Sequence, residues 1–80
     1  MNTIEERITR ILHDDFQVPP GAIGADSTFA DLEVDSLVIV ELALALGREF
    51  GTPLADGELT DSMTVPEAAA LLMSKRAQAA

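Results

Sequence analysis

Asp31-Leu32-Glu33-Val34-Asp35-Ser36-Leu37 runs directly into Val38-Ile39-Val40-Glu41-Leu42-Ala43-Leu44-Ala45-Leu46-Gly47-Arg48-Glu49-Phe50-Gly51. The first half is short, polar and turn-forming; the second is long and apolar. Asp35 is an N-cap residue type placed where the pattern changes, and Gly51 is a C-cap residue type just past its end. A helix from Ser36 to Phe50 is therefore expected. Ile39, Leu42, Ala43, Leu46 and Phe50 fall on one face at helical spacing and supply its core contact. Val38 and Val40 flank that face. Leu37, Glu41, Leu44 and Arg48 share the opposite stripe, so two leucines at i and i+7 stand in water beside a charge of each sign. Scattered exposed leucines are ordinary. A pair interleaved with charge, next to a serine at a helix mouth, reads as a docking face.

Upstream, Ile4, Ile8, Ile11 and Leu12 lie at i, i+4, i+7 and i+8, the face of a first helix. Thr3 and Glu6 have capping-box spacing, and the helix should end near Asp15. Gln17 to Val34 holds two prolines, two glycines and scattered Asp, Ser and Thr. So long a loop in so small a chain must be pinned or functional, and Val18, Ile23, Phe29 and Leu32 are the candidate pins. Asp56 to Asp61 offers a brief helical turn at most. The last helix should open with Pro66 at its first position, Thr64 and Glu67 forming a second capping box. Val65, Ala69 and Leu72 share its face, and Lys75 and Arg76 suit its negative end. The expected fold is all-α: a small three-to-four-helix bundle with a long loop between the first and second helices. No repeat or linker divides residues 1–80, so a single domain is expected. The Met1 start and Ala-rich end point to a free-standing gene product.

Eighty residues bury only about 60% of their unfolded surface, which leaves no room for a large substrate pocket. Three Phe and no Trp or Tyr force the core onto Leu, Ile, Val and Ala, which suits packed helices. The net charge of −9 argues against nucleic acid, whose phosphates require Lys and Arg, and against anionic membrane surfaces. Eleven of the fourteen acids lie between Asp14 and Asp61, with Arg48 the single base among them. That concentration favours basic docking surfaces on partner proteins and speeds encounter with them. With no cysteine, any thiol chemistry has to arrive on a cofactor. The N-terminal segment, carrying Glu5 and Glu6, lacks the apolar run of a signal peptide. A cytoplasmic monomer is the expectation.

Ser36 as a nucleophile needs an adjacent base, yet the lone histidine, His13, sits on the wet or bordering side of the first helix. No G-x-S-x-G turn surrounds it. Asp31, Glu33 and Asp35 have the first spacings of a calcium loop. Its glycine and closing glutamate positions are Ser36 and Leu42, so the match fails. Asp14 and Asp15 close a helix rather than form an acid pair, because nothing buries them to split their pKa values. No catalytic residue and no metal site is expected. A helix N-terminus does present unpaired N–H groups and partial positive charge, which favour a phosphate there. Ser36 is thus placed to be modified rather than to attack.

Ser27-Thr28-Phe29, Asp31-Leu32, Asp35-Ser36-Leu37, Val40-Glu41-Leu42 and Phe50-Gly51 stand in an order and spacing that resembles acyl carrier proteins. The resemblance extends from Ile4-Glu5-Glu6-Arg7-Ile8 to the final Ala-rich helix. It implies that Ser36 receives 4′-phosphopantetheine from coenzyme A through a phosphopantetheinyl transferase, and that the terminal thiol holds acyl groups as thioesters. It further implies that Asp35 aids the transferase, and that Leu37, Val40, Glu41 and Leu44 contact partners such as an acyltransferase, ketosynthase or acyl-loading ligase.

Three departures from the family pattern are informative. Glu33 replaces a usual glycine, so the turn into the helix is expected to differ. Val38 replaces a frequent acid. Gly47-Arg48-Glu49 replaces a run of acids, with Arg48 as a partner contact of opposite sign. The weakened acidic surface points to a carrier of a specialised polyketide or natural-product pathway rather than of housekeeping fatty-acid synthesis. An aminoacyl, peptidyl or D-alanyl carrier with the same arm is an alternative; an unmodified acidic helical interaction module is another.

Overall fold

The computed structural model describes residues 3–79, arranged as three α-helices and one short 3₁₀ turn. Helix α1 spans Thr3–Phe16, α2 Ser36–Phe50 and α3 Val65–Ala79, with the 3₁₀ turn at Pro20–Ala22. The all-α expectation holds. The fourth helical element, however, lies in the first loop and not at residues 56–61, which form turns only. Thr3 is the first described residue of α1. The start of α3 moves. Helix α3 begins at Val65, which puts Pro66 at the second position, where its missing N–H is still no loss.

Helix α1 packs against both α2 and α3. Ile8 and Leu12 from α1, Leu42 and Leu46 from α2, and Ala68 and Leu72 from α3 are wholly buried with Phe29. The faces expected from helical spacing are the ones that meet. Outside them, Arg7 ties α1 to the end of α2. Its guanidinium carbon stands 4.4 Å from the centre of the Phe50 ring and its side chain donates to the Glu49 carboxylate and, at 3.2 Å, to the Glu49 carbonyl. About two fifths of each charged side chain remains exposed, so the ion pair contributes about 0–1 kcal/mol.

The long first loop is held by its own hydrogen bonds. Helix α1 closes with Gln17 in the left-handed region, φ 61°, its N–H donating to the His13 carbonyl at 3.1 Å. Thr28 and Asp31 then build a one-turn box: the Thr28 N–H donates to Asp31 Oδ2 and the Asp31 N–H to Thr28 Oγ1, both at 3.1 Å. Phe29 enters the core from this turn. Its N–H donates to the Met63 carbonyl and that of Ala30 to the Asp61 carbonyl, both at 2.9 Å. A lone antiparallel bridge pairs Thr28 with Thr64. The loop leading into α2 is therefore bonded to the segment leading into α3. Val18 and Phe29 are buried and Ile23 and Leu32 half-buried, as their role as pins requires.

Candidate functional site

The turn that delivers Ser36 ends in a Schellman closure. The Val34 N–H donates to the Phe29 carbonyl at 2.9 Å and the Glu33 N–H to the Ala30 carbonyl at 3.0 Å, with Glu33 at φ 64°. Val34 and Phe29, the residues that pack together in such a closure, are both buried. Glu33 thus adopts a left-handed conformation of the kind glycine takes readily. The turn expected to differ is formed with a glutamate at the cost of backbone strain, about 1–2 kcal/mol for a residue with a β-carbon.

Two residues later the chain is extended at Asp35, φ −78° and ψ −179°, and α2 begins. Asp35 Oδ1 accepts the Leu37 N–H at 3.1 Å and the Val38 N–H at 3.0 Å, while its carbonyl accepts the Ile39 N–H at 2.8 Å. The carboxylate therefore takes two of the N–H groups a phosphate was expected to find there. The Ser36 N–H, which has no partner among the described residues, and the helix dipole remain for an anion at this end, opposed by the neighbouring Asp35 charge. The expectation of a phosphate on unpaired N–H groups is narrowed accordingly.

Ser36 is exposed and opens onto a trough of about 570 Å³ between α2 and residues 54–61. Ile39, Val40, Ala43 and Leu44 line the helix side; Leu54 and Leu59 line the other, with Asp56 and Asp61 on the rim. The expected absence of a large pocket is thus also corrected: the surface carries an open one. The outer wall is fastened to α3. Lys75 Nζ lies 2.5 Å from Glu58 Oε1, which also accepts the Ala55 N–H at 2.6 Å. The lysine hydrogen bond, then the Ala55 N–H, hold the Glu58 carboxyl below its ordinary pKa.

The expected partner residues divide. Leu37 is 77% exposed beside Ser36, and Val40 (54%) and Leu44 (57%) are exposed while forming the near wall of the trough. Arg48 borders a cleft of about 210 Å³ that continues the trough past Ala43, Leu44 and Leu54. Glu41 faces the other side of α2, with Glu33 and Val38. His13 is exposed, its Nδ1 3.3 Å from the Val18 carbonyl, and Asp14 and Asp15 face solvent. Sequence reasoning missed the trough wall, because Leu54 and Leu59 reach α2, and Glu58 reaches Lys75 of α3, only through the tertiary fold. The Thr28-x-x-Asp31 box was visible as spacing alone.

An exposed serine opening onto an apolar trough fits a long, flexible arm joined through a phosphate, which needs an accessible hydroxyl and a surface to lie along. A family model described as "Phosphopantetheine attachment site" matches residues 6–72. The acyl carrier protein of Petrotoga mobilis (strain DSM 10674 / SJ95) is 37% identical over 71 residues, covering 88% of this chain and 84% of that protein. With the prosthetic group thereby given as 4′-phosphopantetheine, the chain belongs to the acyl carrier protein family.

Proposed function

We propose that Ser36 is the attachment residue and that the protein presents acyl thioesters to the enzymes of a specialised polyketide or natural-product pathway, itself catalysing nothing. The observation that carries this reading is the exposed Ser36 hydroxyl at the first residue of α2, opening onto the apolar trough. In the modification, Ser36 Oγ forms a phosphodiester with the pantetheine phosphate as the pyrophosphate bond of coenzyme A breaks. Adenosine 3′,5′-bisphosphate departs and the hydroxyl proton passes to a base of the transferase. Asp35 keeps the helix end rigid and marks the site with charge. The trough shelters apolar cargo at about 0.8 kcal/mol per buried CH₂. The tether raises the effective concentration of cargo at successive enzymes.

The pathway reading rests on Val38, Gly47 and Arg48, which replace acids on α2 and lower the attraction for basic docking surfaces of housekeeping enzymes. The setting in this reading is the cytoplasm; no helix among the described residues is long and apolar enough to cross a membrane. The test is loading kinetics of the holo form with a housekeeping acyltransferase and with an acyltransferase of a polyketide pathway. Preference for the second, reduced by Arg48→Glu, supports the assignment; equal loading by both, unaltered by Arg48→Glu, refutes it.

A further inference from the structure

Arg48 stands alone on an acidic surface. Eleven acids lie between Asp14 and Asp61, and Arg48 is the single base among them. Two other bases are committed, Arg7 to Glu49 and Lys75 to Glu58, whereas Arg48 is exposed and has no ion-pair partner among the described residues. Beside it lies the cleft of about 210 Å³ at the C-terminal end of α2. Its walls are apolar, with Ala43 and Leu44 on the helix and Pro53 and Leu54 opposite. Gly47 keeps this hollow open, since a β-carbon there would stand 3.4 Å from Pro53 Cα and 3.5 Å from the Thr52 carbonyl oxygen. A free guanidinium therefore borders an apolar hollow, at the opposite end of α2 from Ser36.

We propose that this end of α2 is a docking site for a partner enzyme that presents a carboxylate side chain next to an apolar one: the carboxylate pairs with Arg48 and the apolar side chain enters the hollow over Gly47. This deepens, and rests on, the reading that the partners belong to a specialised pathway. Charge complementarity names the occupant. A carboxylate is repelled by the acids over most of a surface of net charge −9 and attracted at this one point, so Arg48 fixes both the sign and the register of what docks. A basic segment is repelled at Arg48 and drawn to the acids elsewhere. The hollow adds the apolar burial that an exposed ion pair lacks. Ser36 stays free for the partner's active site, because the contact is made at the other end of the helix.

The test titrates the full chain with two blocked dipeptides, N-acetyl-Glu-Leu-amide and N-acetyl-Gln-Leu-amide, which differ in one charge. Heteronuclear NMR of the Arg48 Nε–H and of the Gly47 and Leu54 amides reports docking. The glutamate peptide should bind about two- to fivefold more tightly, as for an exposed ion pair, and molar salt or Arg48→Gln should remove the difference. Gly47→Ala, which narrows the hollow, should weaken both peptides while circular dichroism shows the helices intact. Equal affinity for the two peptides, a glutamate preference that survives Arg48→Gln, or no saturable shift at these three groups overturns the proposal. The pathway reading stands or falls on the loading rates of the two acyltransferases, so its failure and the failure of this site are told apart.

Discussion

Replacing Glu33 with glycine should make the protein more stable, although it deletes a side chain from the turn feeding the modified helix. Glu33 stands at φ 64° in a closure fixed by the Val34 and Glu33 N–H groups, so it cannot relax without breaking two hydrogen bonds of 2.9 and 3.0 Å. The left-handed conformation costs a residue with a β-carbon about 1–2 kcal/mol and glycine almost nothing. Glycine also widens the unfolded ensemble, which returns about 0.4–1 kcal/mol. The difference is a gain of about 0.5–1 kcal/mol, or about 2–8 °C in Tm for a chain of this size. Removing one negative charge from an acidic protein would also stabilise it, so Glu33→Gln, which keeps the β-carbon and loses the charge, is the necessary comparison. Urea unfolding followed by circular dichroism, performed on both variants and the parent, separates the effects. If Glu33→Gly is no more stable than Glu33→Gln, strain at this turn is not what the φ value implies.

The cap at Asp35 can be dissected in the same assay. Asp35→Ala should lose about 1 kcal/mol, since the Leu37 and Val38 N–H groups lose their acceptor, while Asp35→Asn should retain most of it. Leu42→Ala, at a wholly buried site, should cost about 2–5 kcal/mol by urea unfolding and leave modification at saturating transferase unchanged at temperatures where it stays folded. Glu58 titrates below its ordinary value chiefly because of Lys75. Its ionised form therefore adds stability that is fully present above the normal carboxylate range, about pH 4.3, and is lost as pH falls through the lowered folded value. In Lys75→Met, NMR titration should return Glu58 towards normal, and the acid-side loss of stability should become shallower. An unchanged Glu58 titration would place the cause elsewhere.

Local signals carried far in this chain because its helices are bounded by side chains that act on their own backbone. Asp35, Gly51 and the Thr64–Glu67 pair mark α2 and α3 to within a residue, and the last pair is reciprocal as its spacing requires. Apolar spacing found the core faces of all three helices, because α1 needs only one stripe to meet both neighbours. What stayed illegible was nonlocal. The Phe29–Met63 and Ala30–Asp61 hydrogen bonds join segments more than thirty residues apart and set where Asp61 stands relative to Ser36. The trough depends on Leu54 and Leu59 reaching α2, which no periodicity announces. Glu33 was recognisable as unusual, yet whether the turn would change or the residue would bear the strain was decided by Phe29 and Val34 packing together beneath it. The presence of a carboxylate on the helix N–H groups followed from the cap itself, and it limits what else can bind there.

The central claim is that the Ser36 hydroxyl anchors the prosthetic arm. Intact-mass and peptide-mapping spectrometry of the protein after incubation with coenzyme A and a broad-specificity phosphopantetheinyl transferase tests it directly. One phosphopantetheine should be gained, located on the peptide containing residue 36, and none should be gained by Ser36→Ala. An unmodified parent, or a group that still attaches to the folded alanine variant, would contradict the account.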